Sequence, residues 1–150
     1  CGHQDTLGYG FPTALGVKVG NPDKVVISIT GDGGFQFAIQ ELATAKQFKI
    51  GLITIVFNNS ALGNVRRDQE TRFDGRVIGA ELENPDFIEL AKAYNIAGYR
   101  VQDAKGLREV LSEVIIKNDP VVIEVSLETG SETSPWPFIL RDAFSSNSVV

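Results

Sequence analysis

Methionine is absent from the 150 residues, and cysteine, histidine and tryptophan occur once each. A lone cysteine closes no internal disulfide, and one Cys with one His falls short of a structural zinc site. Cys1 is therefore expected to be a reduced thiol at the chain end, and His3 to be structural or disordered. No apolar run approaches the ~20 residues that span a bilayer, and no signal-peptide pattern is visible. Basic residues are in deficit, 14 Lys+Arg against 19 Asp+Glu, for a net charge of −5. Nucleic acid and anionic membranes both call for a basic face that releases counterions, so neither partner is expected. These absences point to a soluble, cytoplasmic domain. The lack of methionine, with an opening Cys1-Gly2-His3-Gln4-Asp5 that reads like domain interior, gives the expectation of a piece of a longer chain.

What is present is enough apolar sequence for one core: 43% hydrophobic and 22% charged residues, the balance of a single globular domain over 1–150. Short β-branched runs alternate with helical stripes. Val25–Thr30, Leu52–Phe57, Gly98–Val101 and Val121–Leu127 read as strands, the apolar ones buried on both faces as in a covered parallel sheet. Phe11-Pro12 starts a small-residue helix that ends at Gly20. Phe35, Ala38, Ile39, Leu42 and Ala45 follow helical spacing. Asn84 is the expected N-cap of a further helix, with Pro85 at its first position, and Asp103 opens another through Leu107, Val110, Leu111 and Val114. Ser60–Glu83 reads as a long polar loop, and 130–150 as a C-terminal tail, with Trp136, lying over a neighbour. The order implies an α/β fold: a doubly wound, mostly parallel sheet with helices on both faces.

Ligands of such sheets bind beyond the carboxyl ends of the strands. Gly31-Asp32-Gly33-Gly34 follows the first strand and Asn58-Asn59-Ser60 follows the second. Glycines and a helix start suit a phosphate, but the carboxylate of Asp32 repels one unless a cation lies between. Mg²⁺ bridges a carboxylate to a diphosphate, and Asn59 offers a neutral oxygen from the other side. A dinucleotide site fits less well, because Gln36 stands where the fingerprint wants its third Gly or Ala and no acidic residue ends the second strand.

The pair Gly31-Asp32-Gly33 and Asn58-Asn59 resembles the thiamine diphosphate-binding motif. Gly8-Tyr9-Gly10-Phe11-Pro12-Thr13-Ala14, Gln40-Glu41-Leu42-Ala43-Thr44-Ala45 and Asn84-Pro85-Asp86-Phe87 resemble segments of the acetolactate synthase-like branch of that family, in its C-terminal, thiamine diphosphate-binding domain. The resemblance implies a thiamine-diphosphate-binding fold, truncated at its N-terminus. It implies that Asp32, Asn59 and the carbonyl of Ala61 ligate Mg²⁺, and that Gly31, Gly33, Gly34 and Gly63 line the diphosphate seat. Leu7 matches the apolar residue that wedges under the cofactor and bends it, and the backbone at Asp5 would contact the pyrimidine. Relatives usually have Gly at Asp5, so that position departs from the pattern.

The implied activity is decarboxylation of a 2-oxo acid, pyruvate first, with transfer of the acyl carbanion. The family's activating glutamate lies on a pyrimidine-binding module supplied by a neighbouring subunit in a homodimer or homotetramer. It has no match here, so the chain alone carries no catalytic residue and is expected to be inactive. Arg66, Arg67 and Arg72 either meet a substrate carboxylate or are solvated and subunit-bridging. The alternatives are a thiamine diphosphate-binding protein without catalysis, and a 2-oxo-acid decarboxylase of benzoylformate or sulfopyruvate type.

Overall fold

Four strands of the described residues form one parallel sheet, and the two central ones carry apolar residues on both faces. The structure, a computed structural model, describes residues 6–131 and 133. The strands are β1 (Ile27–Gly31), β2 (Ile53–Asn58), β3 (Ala97–Val101) and β4 (Val121–Ser126), in the spatial order β1-β2-β4-β3. Every neighbouring pair is parallel, so each connection has to cross a face of the sheet. Among the described residues there are six α-helices: α1 (Gly10–Gly20), which precedes β1, and on the crossings α2 (Asp32–Gln36), α3 (Leu42–Gln47), α4 (Gly63–Arg72), α5 (Phe87–Ala93) and α6 (Ala104–Val114). The expected doubly wound α/β fold is what the chain adopts.

The alternation along each strand splits the core in two. On one face, Val56 and Val122 meet α1, α2, α3 and α5 around Phe11, Phe35 and Phe87. Phe35 stacks edge-on against both other rings, at centroid distances of 5.2 and 5.7 Å. On the other face, Ile53, Ile55, Val121, Ile123 and Val125 pack under Leu107, Val110 and Leu111 of α6. At the β1 edge of that second face, Ile29 stays 69% exposed. None of the helices of the described residues is long and apolar enough to cross a membrane.

Three elements differ from the sequence reading. The helical stripe from Phe35 to Ala45 is not one helix: α2 ends at Gln36, Ala38 leaves helical geometry, and Ile39–Glu41 forms a 3₁₀ turn before α3. The apolar residues still bury one face, because a broken helix and a continuous one present nearly the same spacing. Asn84 does not cap α5. Asp86 does, its Oδ1 accepting from the N–H groups of Ile88 and Glu89, because Asn84 is drawn into the sheet end. Ser60–Glu83 is not all loop, since it holds α4. That helix buries no side chain and is tied by ion pairs at i,i+4 spacing, Arg66–Glu70 at 2.9 Å and Arg72–Asp68 at 3.7 Å, so no apolar period marks it.

Candidate functional site

Parallel pairing of Gly31 with Phe57 puts the ends of β1 and β2 side by side, and the two polar clusters that follow them converge. Between them and the 6–10 segment lies a cleft of about 690 Å³. Leu7, Gly31, Asp32, Gly33, Gly34, Ala61 and Gly63 all line it, with Thr30 and Leu62. Close packing accounts for some of the glycines here, though a β-carbon on Gly31 would meet open space. A β-carbon on Gly34 would stand 3.1 Å from Thr30 Oγ1 and 3.5 Å from Leu7 Cδ1. Gly8, at φ +88°, would bring one to 2.5 Å from Cβ of Phe37, a backbone shape and an approach that only glycine accepts.

Asp32 is 2% exposed at the start of α2. Its Oδ1 accepts from the N–H of Gly33 at 2.9 Å and its Oδ2 from Nδ2 of Asn84 at 2.6 Å. Both donors are neutral, so the buried carboxylate has no cationic partner among the described residues. Asn84 Nδ2 also donates to Asn58 Oδ1 at 2.8 Å, and Gln36 donates to Asn84 Oδ1. Asn58 donates in turn to Glu124 Oε1 at 2.8 Å. Glu124, 3% exposed, receives Nε of Arg100 at 3.0 Å, and Nη2 of Arg100 reaches Asp86 at 2.9 Å. The backbone N–H of Glu89 and then the Arg100 guanidinium hold the Asp86 carboxyl below its usual value. Asp86 first, then Glu124, raise the pKa of Arg100.

Asn59 is buried next to the cleft but does not line it. Its Oδ1 accepts from the N–H of Ala61 at 3.2 Å, and its carbonyl accepts from Thr129 Oγ1 at 2.7 Å. Ala61 forms an antiparallel bridge with Glu81, closed by Leu62 N–H to Ala80 and Leu82 N–H to Ser60. Those bonds use the neighbours' groups, so the N–H and C=O of Ala61 both turn away from the bridge, toward the side of Asn59 Oδ1. The two clusters therefore supply one carboxylate, one amide oxygen and one main-chain carbonyl. All are hard oxygen donors of the kind that take a small divalent cation together with ligand oxygens. No group of three or more His, Cys, Asp or Glu able to hold a metal occurs among the described residues, so a cation here would meet one side-chain carboxylate and neutral oxygens.

Of the residues expected from sequence, the N–H of Gly33 is engaged with Asp32, and Asp5, Cys1, His3 and Trp136 lie outside the described residues. Arg66 and Arg72 pair on their own helix, and Arg67 donates to Asn64. Sequence reasoning missed Asn84, Glu124 and Arg100, and gave Asn58 no role of its own. Glu124 carried a signal: it is the one charged residue in Val121–Ser126, a run otherwise apolar up to its last residue and buried on both faces. Asn84 carried only its resemblance to a helix cap.

Comparison with known proteins identifies the family. Residues 1–125 match the family model described as the thiamine pyrophosphate enzyme, C-terminal TPP binding domain. The chain is 42% identical over 120 residues to an acetolactate synthase catalytic subunit, mitochondrial, of Aspergillus candidus, covering 80% of this chain and 17% of that protein. It is 37% identical over 131 residues to the acetolactate synthase isozyme 3 large subunit of Escherichia coli, covering 85% and 23%. Its fold superposes on the thiamine diphosphate-dependent 4-hydroxybenzoylformate decarboxylase of Rhodococcus jostii with a TM-score of 0.77 at 30% identity, over 84% of this chain and 24% of that one. The chain thus spans about a fifth of the length of the relatives it matches. It belongs to the thiamine pyrophosphate enzymes, as the C-terminal cofactor-binding domain of an acetolactate synthase-like member.

Proposed function

We propose that the cleft seats Mg²⁺ and thiamine diphosphate within a longer enzyme that decarboxylates a 2-oxo acid, pyruvate first, and transfers the acyl unit to an acceptor. The observation that carries this is Asp32: a buried carboxylate at the edge of a cleft, held among the described residues by neutral donors. An ionised carboxylate so desolvated is stabilised by a paired cation. Asp32, Asn59 Oδ1 and the Ala61 carbonyl would hold Mg²⁺, which in turn would bind the diphosphate along the Gly31–Gly34 and Gly63 backbone. Leu7, 48% exposed on the cleft wall, would support the ring system. Asp5 completes the proposed set, through its backbone.

Bound there, thiamine diphosphate would supply a nucleophilic carbon and an electron sink for decarboxylation of a 2-oxo acid. The residues of this chain anchor and orient the diphosphate end. The activating carboxylate is assigned to the pyrimidine-binding module of a neighbouring subunit, in a cytoplasmic homodimer or homotetramer. A second reading, a lyase acting on an arylated 2-oxo acid, is favoured by the likeness to the 4-hydroxybenzoylformate decarboxylase.

The test is made on the full-length enzyme with thiamine diphosphate, Mg²⁺ and pyruvate, following CO₂ and acetolactate together. Cofactor-dependent formation of both supports the carboligase. CO₂ with aldehyde and no acetolactate supports the lyase. Failure to bind thiamine diphosphate at all overturns the seat itself.

A further inference from the structure

We propose that Asn84 is the positioning residue of the Asp32 carboxylate, with Gln36 setting the direction of its amide and the Arg100–Glu124 pair bracing it through Asn58; this rests on the reading that Asp32 ligates a divalent cation. An amide NH₂ carries two hydrogens, and Asn84 spends one on each of two oxygens, Asp32 Oδ2 at 2.6 Å and Asn58 Oδ1 at 2.8 Å. Gln36 donates to its Oδ1. Turning the amide over would set oxygen against two oxygens and NH₂ against NH₂, so the three contacts allow one orientation.

The same logic runs outward. Asn58 accepts from Asn84 and from the N–H of Ser60 at 3.1 Å, and it donates to Glu124 at 2.8 Å. Glu124 as a carboxylate only accepts, and Arg100 only donates, so this end fixes the direction of the whole chain. The outcome is a carboxylate pinned through both oxygens by neutral donors. A Lys or Arg in the place of Asn84 would hold Asp32 equally well but would cancel its charge and compete with a cation. Asn84 fixes the geometry and leaves the charge for a metal, which is the task of a group behind a metal ligand. Because Arg100 also grips Asp86, two residues along, the segment that carries Asn84 is fastened to the sheet independently of Asp32.

The test uses the full-length enzyme with saturating thiamine diphosphate and Mn²⁺ as the probe, free Mn²⁺ being read by electron paramagnetic resonance. Asn84→Ala should weaken Mn²⁺ binding by roughly 10- to 100-fold, with kcat at saturating metal little changed. Gln36→Met should shift it in the same direction by less, and decides the matter if Asn84→Ala does not fold. Wild-type Mn²⁺ affinity in the folded variants, with only the melting temperature lowered, would overturn the proposal by making the network purely structural. If Asp32→Ala binds Mn²⁺ as tightly as the wild type, the reading of Asp32 as a ligand fails instead.

Discussion

A β-carbon on Gly33 would stand 2.5 Å from Cδ2 of Leu62 and 3.3 Å from Cδ1 of Leu82. The backbone just after β1 is thus packed against a side chain that follows β2, and this contact brings the two polar clusters into one site. The obstructing atoms are ends of leucine side chains, so Gly33→Ala is expected to fold, with a loss of about 1–3 kcal/mol from overpacking. Leu62 has to move, and Ala61 moves with it. Metal-dependent binding of thiamine diphosphate, measured by calorimetry, should weaken more than the urea midpoint alone explains; unchanged binding would detach the Leu62 contact from the site.

Gly51 provides the contrasting case at the opposite end of the sheet. A β-carbon there would meet the backbone oxygen of Asn118 at 2.1 Å, and a main chain cannot rotate aside. Gly51→Ala should therefore cost about 3 kcal/mol, at the top of the usual range for overpacking. Whatever fraction stays folded should bind thiamine diphosphate normally. Urea unfolding measures the first effect and calorimetry the second.

Phe35 is fully buried between Phe11 and Phe87, one residue beyond the glycines of the site. Phe35→Ala should lose roughly 3–5 kcal/mol, while Phe35→Leu, which leaves a smaller cavity, should lose clearly less. Equal losses for the two, in denaturant titrations, would mean that the aromatic cluster does not fill the space the structure gives it.

The N-cap of α5 should titrate. Two backbone N–H groups and Arg100 hold the Asp86 carboxyl below its ordinary value of 3.8, so the unfolded chain takes up this proton at higher pH than the folded one. The contribution of Asp86 is complete above about pH 4 and fades as pH falls through the lower folded value. Protection of the Ile88 and Glu89 amides against hydrogen exchange should fall with acid in the wild type. In Asp86→Asn it should be lower at neutral pH and nearly flat across the same range. An identical acid dependence in both would remove Asp86 as its source.

The centre of the sheet was legible because β2 and β4 are apolar on both faces, which few other structures tolerate. β2 and β4 lie within a residue of their expected limits for that reason, and α6 follows its expected cap Asp103, whose Oδ1 accepts from the N–H of Gly106. The break after α2 was not legible. Apolar spacing is blind to it, and the groups gathered around α2, Gly8 beside Phe37 and Asn84 beside Gln36, are remote in sequence. Asn84 shows the same limit for the site. Asn-Pro-Asp offers two good capping residues, and only the 52-residue reach to Asp32 decides that the second caps the helix. Asp32 and Asn59 stood out as candidates because each directly follows a strand at the carboxyl end of the sheet. Nothing local marks Arg100, whose two carboxylate partners come from different elements.

The most direct measurement is anomalous diffraction from crystals of the full-length enzyme grown with thiamine diphosphate and Mn²⁺ in place of Mg²⁺. A single peak within ligand distance of the Asp32 carboxylate, Asn59 Oδ1 and the Ala61 carbonyl, with the diphosphate on its open side, is the predicted result. A cofactor bound in the cleft with the metal peak elsewhere, or with Asp32 still bonded only to Gly33 and Asn84, would contradict it.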